Sequence, residues 1–160
     1  MLNDSELAEL EDVARRCRRD IVRMTHKAGS GHPGGSLSAI DALVVLYLRH
    51  MRVRPEDPLW HERDMFFLSK GHCTPAYYAA MAARGYVPHE ELLTFRAMGS
   101  RLQGHPSNTH LPGVDSSSGS LGQGLSLANG AALAARYEGL GARYYVMIGD
   151  GESQEGQIWE

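Results

Sequence analysis

Residues 144–160 read YYVMIGDGESQEGQIWE, and this stretch decides the fold class. Tyr144 to Ile148 form a short apolar run with aromatic and β-branched members, the composition of a buried strand. The run passes directly into Gly149-Asp150-Gly151. Open α/β sheets bind ligands just beyond the ends of their strands. Glycines there let the backbone approach a ligand closely. A carboxylate suits a hard cation such as Mg²⁺, which commonly takes phosphate oxygens as further ligands. The stretch therefore fits a metal-bridged phosphate site. Asp-Gly after a strand also fits an ordinary turn, and only the rest of the chain separates the two readings.

Working back from that strand, residues 121–137 are a helix crowded with Gly122, Gly124, Ala128, Gly130, Ala131 and Ala135. Small residues at that density let a helix pack closely on its neighbours. Residues 100–120 show no periodicity, and an irregular stretch of that length in a compact domain is a functional loop or disordered. Residues 88–98 read as a helix closed by Gly99. Thr74 and Pro75 cap and start another, over residues 76–84, with Gly85 at its end. Residues 65–69 are a strand candidate ending in Lys70-Gly71-His72. Residues 37–50 are apolar on nearly every side, so a buried helix capped by Ser36 is expected.

The first helix starts at an Asn3 cap with Glu6 placed for a capping box, and stops near Gly29. Leu7, Leu10, Ala14, Cys17, Ile21 and Met24 share its apolar face. Glu11 with Arg15, and Asp12 with Arg16, pair on its wet side, which makes the arginines at 15, 16, 18 and 19 a solvated face. Helices alternating with short strands give an α/β fold with a mainly parallel sheet.

At 160 residues, 42% hydrophobic and 22% charged, the composition is that of a folded protein with one modest core. A net charge of −3 with no basic block gives no pull toward nucleic acid or an anionic membrane. No apolar run is long enough to span a bilayer, and MLNDSELAEL has no signal-peptide core. Cys17 and Cys73 lack metal spacing and suggest a reducing, cytoplasmic setting.

Three of the eight histidines follow glycine in loops: His32, His72 and His105. Imidazole titrates near neutrality, so it suits proton transfer, oxyanion stabilisation and donation to phosphate. A loop histidine alone is commonly a surface group. Three at Gly-His steps, beside Gly149-Asp150-Gly151, point to a site. A Zn²⁺ hydrolase built on His32, His72, His105 and Asp150 is disfavoured, because loop spacings are not the helical pairs of such sites.

Ser30-Gly31-His32-Pro33-Gly34-Gly35-Ser36, Leu68-Ser69-Lys70-Gly71-His72, Gln103-Gly104-His105-Pro106, the run from Pro112 to Gly124, and Gly149-Asp150-Gly151-Glu152-Ser153-Gln154-Glu155-Gly156 occur in the order of the transketolase family. They span nearly the whole chain. Leu102-Gln103-Gly104-His105-Pro106 and Gly119-Ser120-Leu121-Gly122-Gln123-Gly124 most resemble the N-terminal subunit of transketolases split over two genes. The resemblance implies a thiamine-diphosphate-binding α/β domain that moves a two-carbon ketol unit between sugar phosphates, with thiamine diphosphate and Mg²⁺. It implies Asp150 as the Mg²⁺ ligand, Gly151 as a backbone contact to the diphosphate and His72 as a diphosphate donor. Gly119 and Leu121 resemble the pair lining the cofactor rings. His32 and His105 resemble the histidines that bind the donor sugar and assist proton transfer. Glu155 and Glu160 resemble acidic residues of a carboxylate network at a dimer interface.

The family's motif continues into an Asn-Asn pair, later strands and a pyrimidine-binding domain, none of which lies in residues 1–160. The expectation is an incomplete diphosphate-binding domain over residues 1–160, inactive by itself. It would be completed by a C-terminal transketolase subunit or the remainder of the chain, in a homo- or hetero-oligomer. The strand at 144–148, with nothing after it to cover it, is expected to drive association. The competing reading is a non-catalytic interaction fragment that keeps fold and dimer surface without binding cofactor.

Overall fold

The computed structural model describes residues 3–160. It divides into two compact units, Met1–His50 with Cys73–Gly104, and Met51–His72 with His105–Glu160.

The first unit is helical: α1 (Asp4–Ala28), α2 (Pro33–Val45) and α3 (Thr74–Arg84) pack on one another. Helix α1 opens with the expected capping box, Asn3 with Glu6, and ends at Gly29 with φ 62°. Its buried face is Leu10, Val13, Ala14, Cys17, Ile21 and Met24, while Leu7 stays half exposed. On the wet side Asp12 takes both Arg15 and Arg16, so the expected Glu11–Arg15 pair is replaced by an i,i+3 pair.

Helix α2 starts earlier than expected. Pro33 occupies its first turn, where a missing N–H costs nothing. Ser36 is then inside the helix, donating its hydroxyl to His32 O at 2.9 Å, and does not cap it. Its α-helical part ends at Val45 and a π turn follows over Leu46–His50. Ile40, Leu43 and Val44 are buried, but Asp41, Ala42 and Val45 face solvent, so the helix is covered on one side only. Cys73, not Thr74, precedes α3, and Thr74 instead donates to Gly104 O at 2.9 Å. The helix expected over residues 88–98 shrinks to a 3-10 turn, His89–Thr94. Pro88 starts it, and Arg96 leaves right-handed space at φ 60°.

The second unit is built on a parallel pair, β1 (Met65–Leu68) and β2 (Tyr144–Met147), in register Met65↔Tyr144 to Leu68↔Met147. The ladder continues past β1 with Ser69 N donating to Met147 O at 3.0 Å. Helix α4 (Gln123–Tyr137) packs on both strands, and a short α5 (Gly156–Trp159) packs on α4. Parallel strands joined through a helix confirm the α/β class. Strand β1 is buried at Phe66, Phe67 and Leu68, whereas every residue of β2 is only half-buried. The expectation of a buried strand over residues 144–148 is not met, since β2 spans Tyr144–Met147 and is half-buried throughout, while the strand candidate at residues 65–69 forms β1. Among the described residues no helix is long and apolar enough to cross a membrane.

Candidate functional site

Both strands of the second unit end in glycine-containing turns, Ser69-Lys70-Gly71-His72 after β1 and Gly149-Asp150-Gly151 after β2. Parallel strands deliver their C-terminal turns to one end of the sheet. The loop over residues 116–122 joins them there through direct contacts. A methyl group on Gly71 would lie 2.5 Å from Ser118 Oγ and 3.2 Å from Gly119 N. One on Gly124, at the start of α4, would lie 2.5 Å from Ser69 Cβ, so the helix reaches the strand end only because position 124 has no side chain. Gly124 N also donates to Ser69 Oγ at 3.1 Å.

Glu152 fastens the three segments together. Its carboxylate is 4% exposed and accepts from Gly122 N and Gly149 N, each at 2.9 Å. It also accepts from the Ser69 hydroxyl. A buried carboxylate with three donors is stable as an acceptor, and removing it orphans all three. Sequence reasoning passed over Glu152, because nothing in its spacing separates it from Glu155. The 3-10 turn Glu152–Gln154 points the first of the two carboxylates inward and leaves Glu155 exposed.

Asp150 is exposed, and among the described residues its carboxylate has no hydrogen-bond or ion-pair partner. The loop is held by Ser153 Oγ donating to Asp150 O at 2.6 Å. The N–H groups of Asp150 and Gly151 likewise find no acceptor among the described residues. The Cβ direction of Gly151 meets nothing within 4 Å. Successive unengaged N–H groups beside a free carboxylate can receive an anion and a cation together.

His72 lies half-buried in a 3-10 turn, Gly71–Cys73. His105 is exposed, and its ring lies 3.9 Å from the Cβ position of Gly119. The loops carrying His105 and Gly119 are tied by Ser118 N donating to Pro106 O at 3.2 Å and by Ser117 Oγ donating to Asn108 Oδ1 at 2.9 Å. Leu121 is 36% exposed beside them. His72, His105, Gly119, Leu121, Asp150 and Gly151 all belong to the second unit. His32 belongs to the first, where it is exposed and precedes α2 without a side-chain cap bond. Glu155 and Glu160 flank α5, both exposed. Among the described residues no group of three or more His, Cys, Asp or Glu side chains is arranged to hold a metal ion.

The opposite end of the sheet carries charge. Asp64 accepts from the backbone N–H groups of Arg52 and Arg143, each at 2.9 Å, and from the Arg52 guanidinium. Burial pushes its carboxyl up, but the Arg52 and backbone hydrogen bonds outweigh that and hold it below its ordinary value. Asp115 accepts from Phe66 N at 2.7 Å and from Arg63. Its burial wins over the Arg63 charge and pushes the carboxyl up to about 6. On the first unit, burial and the Asp20 charge push the Cys17 thiol up to about 12, which leaves it inert.

Residues 10–160 match the family model described as transketolase, thiamine diphosphate binding domain. The chain is 47% identical over 152 residues to the 6-deoxy-6-sulfo-D-fructose transketolase subunit SqwG of Clostridium sp. (strain MSTE9), covering 95% of this chain and 55% of that protein. It is 40% identical over 155 residues to an apulose-4-phosphate transketolase subunit from Phocaeicola vulgatus, covering 97% and 55%. The chain thus spans about half the length of these relatives. The crystal structure of a transketolase from Campylobacter jejuni superposes with a TM-score of 0.86 at 34% identity, covering 94% of this chain and 25% of that one. With fold, motifs and family model in agreement, the chain belongs to the transketolase thiamine-diphosphate-binding-domain family.

Proposed function

We propose that residues 1–160 form the N-terminal part of the diphosphate-binding domain of a transketolase, which transfers a two-carbon ketol unit between sugar phosphates. The observation that carries this reading is the gathering of Gly71-His72, Gly119-Leu121 and Asp150-Gly151 at one end of one parallel sheet, fastened by Glu152.

The residues present fit thiamine diphosphate with Mg²⁺. Asp150 offers an unengaged carboxylate for the metal, and the adjoining N–H groups suit the diphosphate. One carboxylate leaves the remaining metal positions to phosphate oxygens and to groups from elsewhere. When bound, the cofactor supplies carbanion stabilisation at the transferred carbon. His72 donates to the diphosphate, and Gly119 with Leu121 lines the rings. By its motif, His105 holds donor-sugar hydroxyls and moves their protons, and the motif of His32 resembles one with the same role. Glu155 and Glu160 contribute to an acidic interface between protomers.

A C-terminal transketolase subunit or the remainder of the chain, carrying the pyrimidine-binding half, completes the enzyme. Leu127, Leu133 and Tyr137 on α4, with Trp159 on α5, are exposed apolar side chains suited to such a contact. Cys17 and Cys73 are buried and form no disulfide among the described residues, which supports a reducing, cytoplasmic setting. The same exposed face would serve a non-catalytic interaction fragment. Calorimetric titration of thiamine diphosphate with Mg²⁺, into the chain alone and mixed with a C-terminal transketolase subunit, separates the two. Binding in the mixture that Asp150→Asn removes is the expected result; no binding in either case favours the interaction fragment.

A further inference from the structure

Among the described residues, Arg96 is the one non-glycine residue with a positive φ, at 60°. The left-handed region strains a residue that carries a Cβ, and glycine would hold the same turn without that cost. The backbone is pinned there by Arg96 N donating to Leu102 O at 3.0 Å. Strain of this kind persists where the side chain is needed.

The side chain has no partner that would explain it. The guanidinium Cζ lies 5.5 Å from the centroid of the Phe95 ring. Its Nε is buried with no hydrogen-bond partner, and among the described residues the guanidinium forms no ion pair. A methyl group on Gly104 would lie 2.7 Å from that Nε, so the chain leaves room at position 104 for the guanidinium. Nearby Arg101, by contrast, is paired with Glu91 at 2.6 and 2.8 Å. The Phe95 ring also abuts Gly31, whose Cβ position is 3.4 Å from Phe95 Cε1. The step leading into His32, the Arg96 guanidinium and the Gly104 backbone therefore gather around one ring within the first unit.

We propose that Arg96 is an anion-binding residue that takes a phosphate oxyanion beside the His32 loop. A buried Nε–H without an acceptor gains one when an oxyanion arrives, and the planar fork of arginine suits phosphate better than a lysine point charge. The proposal rests on the transketolase reading, under which cofactor and sugar both carry phosphate. Their shared chemistry is the oxyanion, and the two sources are told apart by probe.

The test uses the wild-type chain, Arg96→Gly and Arg96→Lys, each alone and mixed with a C-terminal transketolase subunit. Metal-free inorganic pyrophosphate and ribose 5-phosphate are titrated calorimetrically, and thermal unfolding is followed in parallel. Arg96→Gly is expected to raise the unfolding midpoint by about 2–4 °C, because the strain is relieved. It should also weaken one of the two anions by roughly tenfold or more, the loss of a charge-assisted hydrogen bond. Arg96→Lys should keep part of the affinity. Loss in the pyrophosphate arm identifies the cofactor as the source, and loss in the ribose 5-phosphate arm the sugar. Unchanged affinity in Arg96→Gly, a lowered midpoint, or no binding of either anion by the wild-type protein overturns the proposal. Mg²⁺-dependent cofactor binding that fails while these metal-free titrations respond to Arg96→Gly would sink the proposed function and leave this site standing.

Discussion

At the N-terminal end of the β1–β2 pair, aspartates and arginines hold the backbone; at the C-terminal end, glycines and one carboxylate do. Asp64 and Asp115 clamp the strand starts through N–H groups of Arg52, Arg143 and Phe66. Glu152 clamps the strand ends through Ser69, Gly122 and Gly149. The first arrangement uses its charges up in pairs. The second satisfies one buried carboxylate internally and leaves Asp150 and Gly151 open. The difference teaches that one parallel ladder can be sealed at one end and kept receptive at the other. What decides it is whether each carboxylate meets its donors inside the chain.

The largest expected effect breaks the receptive end. Glu152→Ala orphans a hydroxyl and two backbone N–H groups and should cost about 3–5 kcal/mol, read as a lowered urea midpoint. Glu152→Gln places an amide N–H₂ where a donor already points, so a smaller loss of about 1–2 kcal/mol is expected. Equal losses in the two variants would mean that shape rather than acceptor count matters.

Next is the sealed end, through pH. The folded carboxyl of Asp115 is pushed up to about 6 from 3.8, so the folded state holds its proton more tightly. Its stabilising contribution is complete below pH ~4 and is lost as pH rises through about 6, an effect of about 3 kcal/mol at roughly 1.4 kcal/mol per pKa unit. Asp64 has the opposite sign: its contribution is present above 3.8 and is lost as pH falls through its lowered folded value. Relative to wild type, Asp115→Asn should therefore gain stability between pH 4 and 7, over a window set by those two carboxyl values. Asp64→Asn should recover ground only in more acidic solution. Parallel pH profiles for the two variants would refute the assignment.

Gly124→Ala drives a methyl into Ser69 and should cost about 1–3 kcal/mol, checked by thermal unfolding. The smallest effect on the fold is expected from Asp150→Asn, within about 0.5 kcal/mol of wild type, because no side-chain partner among the described residues is lost. A large destabilisation there would mean that Asp150 is a structural residue.

Local chemistry wrote much of this into the chain. Asn3 and Glu6 set the start of α1 and Gly29 its end, since caps depend on neighbours in sequence. The β1 and β2 runs, the Gly-His steps and Gly149-Asp150-Gly151 were readable for the same reason. So was the parallel α/β class, which follows from the alternation of helices and strands. Tertiary structure alone decided the rest. It turned Glu152 inward and Glu155 outward, gave Asp12 both arginines, and reduced the 88–98 helix to a short 3-10 stretch, His89–Thr94, ahead of a strained Arg96. It also left β2 half-covered, although its run is aromatic and apolar like that of β1. Each of these depends on what lies opposite a side chain across the fold, and no spacing along the chain encodes that.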